Sequence, residues 1–192
     1  MLLERFFLFD ARLDLPITEK LDYFSAALAI LYALYYTVIR MANLYPQPSK
    51  PDDNNSRSRL RVAWSALCIV AYLAHVTYLS VLPRFDYAYN MTFNLVLGVS
   101  HNIVWLLYSL PVPLFQRFPY APRKYYPRHV YKAGIFVLLT TAATALELFD
   151  FPPLGRVLDA HALWHLSTVP IAKFWYDFLI QDAQDQGWRS QM

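Results

Sequence analysis

Five apolar runs, each about the length a helix needs to cross hydrocarbon, divide this chain and constrain its fold more than any other feature. They extend from about Tyr23 to Ile39, Val62 to Leu82, Ala88 to Leu110, Ala133 to Phe149 and Ala160 to Ile180. A backbone in lipid has to satisfy its own hydrogen bonds, so runs of this length predict helices. The expected fold is all-α, an integral membrane helical bundle with five transmembrane helices. The transmembrane domain covers 23–180, after a non-cytosolic segment 1–22 and before a polar, frayed cytosolic tail 181–192. Isolated polar residues interrupt the runs, among them Asn90, Asn94, His101 and Asn102 in the third and Glu147 late in the fourth. Groups of this kind belong in a bundle interior, where they find partners.

Composition supports the same class. Hydrophobic residues make up 57% of the chain and charged residues 16%, against roughly 25% charged in an average soluble domain. Tyr, Phe and Trp number 15, 13 and 5, as expected where amphipathic rings anchor segments at membrane interfaces. Mean hydropathy is only +0.24 because the connecting loops are strongly polar. The single cysteine, Cys68, excludes an intramolecular disulfide and a Cys-based zinc site, so any metal has to use His and carboxylate. A net charge of +3 is too small to argue for a nucleic-acid partner. Residues 1–10 contain a short apolar patch broken by charge and no small-residue cleavage site. Either an internal span starts insertion or an N-terminal part is missing.

The distribution of charge sets the expected topology. The loop 40–61 carries Arg40, Lys50, Arg57, Arg59 and Arg61 against Asp52 and Asp53. The Pro-rich loop 111–132 carries Arg117, Arg123, Lys124, Arg128 and Lys132 and no acid. By the positive-inside rule both are cytosolic, which puts the connectors 83–87 and 150–159 on the lumenal or extracellular side. The N-terminus is then outside and the C-terminus inside. Asp22, Asp86, Glu147, Asp150, Asp159, His161 and His165 fall at one non-cytosolic membrane face, a depth that suits a lipid-like substrate.

His161 and His165 are four residues apart, about one turn, on one face of the last helix, a good spacing for a shared metal ion. The spacing alone leaves a second reading, two interfacial histidines that hydrogen-bond headgroups or neighbouring helices. Ala162-Leu-Trp between them lacks the glutamate of the zinc-protease motif, so no base is built in. Asp159 either orients an imidazole or caps the helix. Asp22, at a span entrance, is either a partner of the helix dipole or a site carboxylate. Lys173 and Asp177, one turn apart, predict a snorkelling ion pair. For His75 and His101 interhelical hydrogen bonds are expected.

Four words in this sequence carry a resemblance: Leu15-Pro-Ile-Thr-Glu-Lys-Leu-Asp-Tyr-Phe24, Arg84-Phe-Asp-Tyr-Ala-Tyr-Asn-Met91, Leu146-Glu-Leu-Phe-Asp-Phe-Pro-Pro153 and Asp159-Ala-His-Ala-Leu-Trp-His165. In order and from about Asp14 onward, they resemble the Per-one-like family of the CREST membrane hydrolase superfamily, which also holds alkaline ceramidases and adiponectin receptors. The resemblance implies a seven-span fold of which this chain is the C-terminal five-span part. It implies a zinc ion on three histidines with a Ser and an Asp nearby, and GPI-anchor lipid remodelling in the endoplasmic reticulum membrane, with the Golgi as the alternative location. The implied reaction is phospholipase A2-type removal of the sn-2 acyl chain at the lumenal face. GPI-anchored proteins or their lipid moiety, and membrane lipids, are the implied partners. His161 and His165 match the family's C-terminal zinc ligands, and Asp22 matches its site aspartate, which would position or deprotonate water.

One departure is specific. The family carries Ser-x-x-x-His before the Leu-Thr-Glu-Lys-Leu-Asp-Tyr word, and here the two positions are Phe7 and Ala11. Similarity fades upstream of Asp14, which suggests a truncated or mis-joined N-terminus, two ligands in place of three and impaired catalysis. Asp10 or Asp14 is a substitute oxygen ligand in principle. Two alternatives stand beside this reading, a ceramidase-like amide hydrolase and a non-catalytic membrane scaffold.

Overall fold

The computed structural model describes residues 16–45, 51–149 and 159–189. Among the described residues there are five long helices: α1 Pro16–Met41, α2 Pro51–Val81, α3 Tyr87–Ser109, α4 Tyr131–Leu148 and α5 Ala160–Ala183. Short 3-10 turns, Arg128–Val130 and Gln186–Trp188, precede α4 and follow α5. There is no strand among the described residues, and the protein is an all-α, multi-span membrane protein.

Four of the helices contain a stretch long and apolar enough to cross a membrane: Lys20–Met41, Asn55–Val81, Tyr87–Ser109 and Arg128–Leu146. The fifth expected span differs. α5 has 24 residues, but His161, His165, Lys173 and Asp177 lower its hydropathy, and it is not among the four.

The loop expected over 40–61 is much shorter. α1 continues through Met41 and α2 starts at Pro51. Hydropathy marks only where a helix enters lipid, whereas Pro51 suits the first helical position, which needs no N–H donor.

The chain divides into two compact units, Met1–His101 and Asn102–Met192, with α3 passing from one to the other. In the first, α1 and α2 pack antiparallel. Tyr72 donates to the Phe24 carbonyl at 3.1 Å, the Trp64 indole to the Tyr35 carbonyl at 3.3 Å, and Arg57 Nη1 to the Asn43 carbonyl at 2.9 Å. α1 ends in a Schellman turn: Leu44 N donates to Ile39 O at 3.0 Å and Asn43 N to Arg40 O at 3.4 Å, with Asn43 at φ 51°. Asparagine tolerates that left-handed conformation, and Ile39 and Leu44, both buried, supply the apolar contact of the motif.

In the second unit α4 and α5 pair antiparallel, with Lys132 Nζ on Gln181 Oε1 at 2.8 Å and the Phe136 ring stacked on Trp175 at 4.0 Å. Trp105 from α3 meets Trp175 and Phe178 edge-on at 4.7 and 5.5 Å, closing an aromatic core. Asn102 bridges to α4 through Thr140 and Thr141 at 3.3 and 3.4 Å. A polar residue inside an apolar run thus has interhelical partners, as a bundle interior requires.

The tail is not frayed as far as Arg189. The Trp188 indole packs edge-on against Phe118 at 5.7 Å and donates to the Asp182 carbonyl at 2.8 Å, while Tyr120 N donates to Gly187 O at 3.3 Å. A Cβ at Gly187 would stand 2.7 Å from the Cβ and Cγ of Phe118, so only glycine lets the tail come this close. Polar composition predicted fraying; two aromatic rings and a close glycine outweigh it.

Candidate functional site

The start of α5 is built by Asp159. Its backbone is extended (φ −93°, ψ 176°), and its side chain accepts from Ala162 N at 2.7 Å, an N-cap bond to the third helical residue. Its carboxylate thus performs one of the two roles left open for Asp159, helix capping. The cap secures the first turn, where His161 sits at the second helical position. α5 is continuous from Ala160 to Ala183, so the backbone keeps His161 and His165 one turn apart on one face. The His165 ring is exposed and lies edge-on to Trp164 at 4.6 Å. The side chain of His161 lies outside the described residues. Because α4 and α5 are antiparallel, the C-terminal end of α4, with the backbone of Glu147, lies at the same end of the hairpin as the pair. The Glu147 side chain and Asp150 are likewise outside the described residues, as are Phe7 and Ala11.

Asp22 belongs to the first unit. It is exposed on α1, and its carbonyl accepts from Ser25 Oγ at 2.9 Å. Its neighbour Tyr23 stacks on Phe85 at 4.9 Å, which brings this end of α1 to the turn that precedes α3. Asp86 in that turn caps α3: Oδ1 accepts from Tyr89 N at 2.9 Å and Oδ2 from the Tyr78 phenol at 3.4 Å. Of the seven polar residues expected at one face, two are thus helix caps, Asp86 and Asp159.

Zinc is the metal whose ligand chemistry these donors resemble. Two imidazoles on one helix face, one of them exposed to a ligand, suit two tetrahedral corners. Among the described residues no group of three His, Cys, Asp or Glu could hold a metal ion. Of the pair, only the His165 ring is among those residues, so the described donors supply one corner of such a site.

Other expectations divide. Lys173 and Asp177 form the expected i, i+4 pair, at 2.7 Å and largely exposed. His75 is fully buried, but by ring packing: it stacks on Phe93 at 4.0 Å and on Tyr89 at 5.4 Å, with Phe24 edge-on at 6.4 Å. Asn90 is the polar side chain that bears on it, yet neither ring nitrogen has a partner at hydrogen-bond geometry. The expected interhelical hydrogen bond is thus replaced by ring packing against aromatic neighbours from α1 and α3. His101 is buried.

A second polar cluster escaped sequence reasoning altogether. Arg117, 3% exposed, donates through Nε to the Tyr108 carbonyl at 3.0 Å and through Nη2 to Leu110 O and, at 3.1 Å, to Val112 O. It thus takes up carbonyls at and just beyond the C-terminal end of α3, and its guanidinium lies 5.1 Å from the Tyr126 ring centre. Burial pulls its pKa below the ordinary value while the Tyr108 and Tyr126 phenols push it up; a guanidinium stays charged throughout. Asp182, 1% exposed, accepts from the Tyr108 hydroxyl. His129 stands 3.6 Å from Asp182 and 3.9 Å from Asp185. The only local signal was an arginine among aromatic residues in a Pro-rich loop, which reads equally well as a solvated charge.

Comparison with known proteins agrees with the four sequence words. "Protein PER1 homolog" of Schizosaccharomyces pombe is 42% identical over 173 residues, 88% of this chain and 45% of its own length. "GPI-specific phospholipase A2-like PGAP3" of Bos taurus and of Homo sapiens are 38% and 36% identical over 170 residues, 88% of this chain and 46% of theirs. The chain thus spans about half the length of the curated relatives it matches. No solved structure matches. The model of the Per1-like family matches residues 7–183, starting upstream of Asp14. With nearly its whole length inside that match, the chain belongs to the Per1-like family.

Proposed function

We propose that this chain serves GPI-anchor lipid remodelling in the endoplasmic reticulum membrane, through zinc-dependent, phospholipase A2-type hydrolysis of the sn-2 ester on GPI-anchored proteins. The observation that supports it is family membership over residues 7–183, with relatives named GPI-specific phospholipase A2-like. In this reading His161 and His165 bind zinc at the lumenal end of α5, and the Asp159 cap keeps their turn helical. Zinc held there supplies Lewis acidity toward water and the ester carbonyl. Asp22 orients a water and takes its proton as the oxygen adds to the sn-2 carbonyl carbon. The acyl carbon–oxygen bond then breaks, the departing sn-2 oxygen takes back the proton held by Asp22, and a fatty acid and a lyso-lipid result.

Phe7 and Ala11 stand where the family has Ser and His. A catalytic zinc needs three protein ligands, so in this reading the chain binds zinc weakly and turns over slowly. Metal analysis of the purified full chain, with fatty-acid release from a GPI lipid, tests this. Zinc occupancy should fall on His161→Ala or His165→Ala. It should rise at least tenfold in affinity, together with fatty-acid release, in the Phe7→Ser, Ala11→His double variant. A well-folded protein that binds no zinc in either form would leave a non-catalytic scaffold, and release from ceramide in place of the GPI ester would reassign the substrate.

A further inference from the structure

The connection between α3 and α4 turns its charges in one direction. Residues 111–132 hold five cations and no acid. One of the five, Arg117, is buried on backbone carbonyls, and Lys132 is engaged with Gln181. Arg123, Lys124 and Arg128 are exposed. The acids that the C-terminal segment brings to the same end of the second unit point the other way. Asp182 is 1% exposed and accepts from Tyr108. The Asp185 side chain is 9% exposed, with Oδ1 on Gly187 N at 2.7 Å and Oδ2 on the Tyr125 hydroxyl at 3.3 Å. Folding therefore buries Asp182 and Asp185 and leaves Arg123, Lys124 and Arg128 outside, a positive surface that composition alone does not show.

Position decides what such a surface meets. The segment is tied at both ends to spans, Tyr87–Ser109 and Arg128–Leu146, so it cannot leave the membrane surface. Leu110, Val112 and Leu114, directly after α3, are exposed aliphatic side chains that suit the acyl boundary. Gln116 Nε2 donates to Pro119 O at 3.1 Å and Ala121 O at 3.2 Å, and Arg117 holds three further carbonyls, so the loop is shaped before any ligand arrives. We propose that this segment is a docking surface for the headgroups of anionic phospholipids, with Arg123, Lys124 and Arg128 as the recognising cations. A cation held near an anionic membrane surface gains a severalfold preference, and a rigid array adds to it without ordering a loop.

The test compares spin-labelled phosphatidylserine with spin-labelled phosphatidylcholine for association with the full chain in phosphatidylcholine bilayers. The expected result is a preference of about fivefold or more for phosphatidylserine, lost in 0.5 M salt. It should also be lost in the Arg123→Gln, Lys124→Gln, Arg128→Gln variant and kept when the two arginines are changed to lysine. Equal association of the two lipids with the unaltered chain overturns the proposal, as does a preference that survives the triple variant with its helicity intact. Inorganic phosphate that abolishes the preference at constant ionic strength reassigns the cations to a small anion and also overturns it. None of these readouts depends on hydrolysis.

Discussion

Asn43 closes α1 in the left-handed region, and its substitution isolates one residue's contribution. Asn43→Gly keeps the Schellman turn without a Cβ and should leave thermal stability unchanged or slightly raised. Asn43→Val forces a β-branched side chain to φ 51° and should lower stability by about 1–2 kcal/mol, measured by unfolding in matched detergent. Asp159 is the second case. Its carboxylate bonds Ala162 N, so Asp159→Ala should cost about 1 kcal/mol, and Asp159→Ser, another good cap, should restore most of it. Were the carboxylate chiefly an imidazole partner, serine would fail to rescue zinc affinity while rescuing stability. The pair Lys173 and Asp177 needed no such test to be foreseen. An i, i+4 spacing is a local rule, and local rules are readable from sequence.

At the scale of elements, the end of the chain and the α3–α4 connection form a single structure. Tyr108 and Asp182, 74 positions apart, share a buried hydrogen bond, and Trp188 closes over it. Gly187→Ala should push its new methyl against Phe118 and detach the tail, raising amide exchange at 186–189 at least tenfold, while the α4–α5 pairing at Phe136 and Trp175 stays protected. Unchanged exchange would mean that the tail is held without the close approach of Gly187. Neither element was legible beforehand. A Pro-rich basic stretch and a polar terminus look alike whether they are solvated or folded onto each other, because the decisive partners are remote in sequence.

For the whole molecule the fifth helix decides the topology. α5, at 24 residues, is about 36 Å long, more than the hydrocarbon thickness of about 30 Å. Its polar residues place it below the four clearly apolar helices, but two of them, Lys173 and Asp177, neutralise each other. We expect α5 to cross. With Cys68 changed to Ser, a cysteine at Asp159 and one at Gln186 should react with an impermeant maleimide from opposite sides of sealed vesicles. Labelling of both from one side would leave α5 lying at the surface. By itself the sequence determined the helical class, the positions of the apolar runs, the family and the one-turn spacing of His161 and His165, since hydropathy, periodicity and short words are local properties. Only the tertiary structure decided that Asp86 and Asp159 cap helices, that His75 is held by stacked rings, and that Arg117 and Asp182 are buried while Arg123, Lys124 and Arg128 are exposed. The free energy of a polar group is set by the partners it meets across the fold, and those lie outside any local stretch of chain.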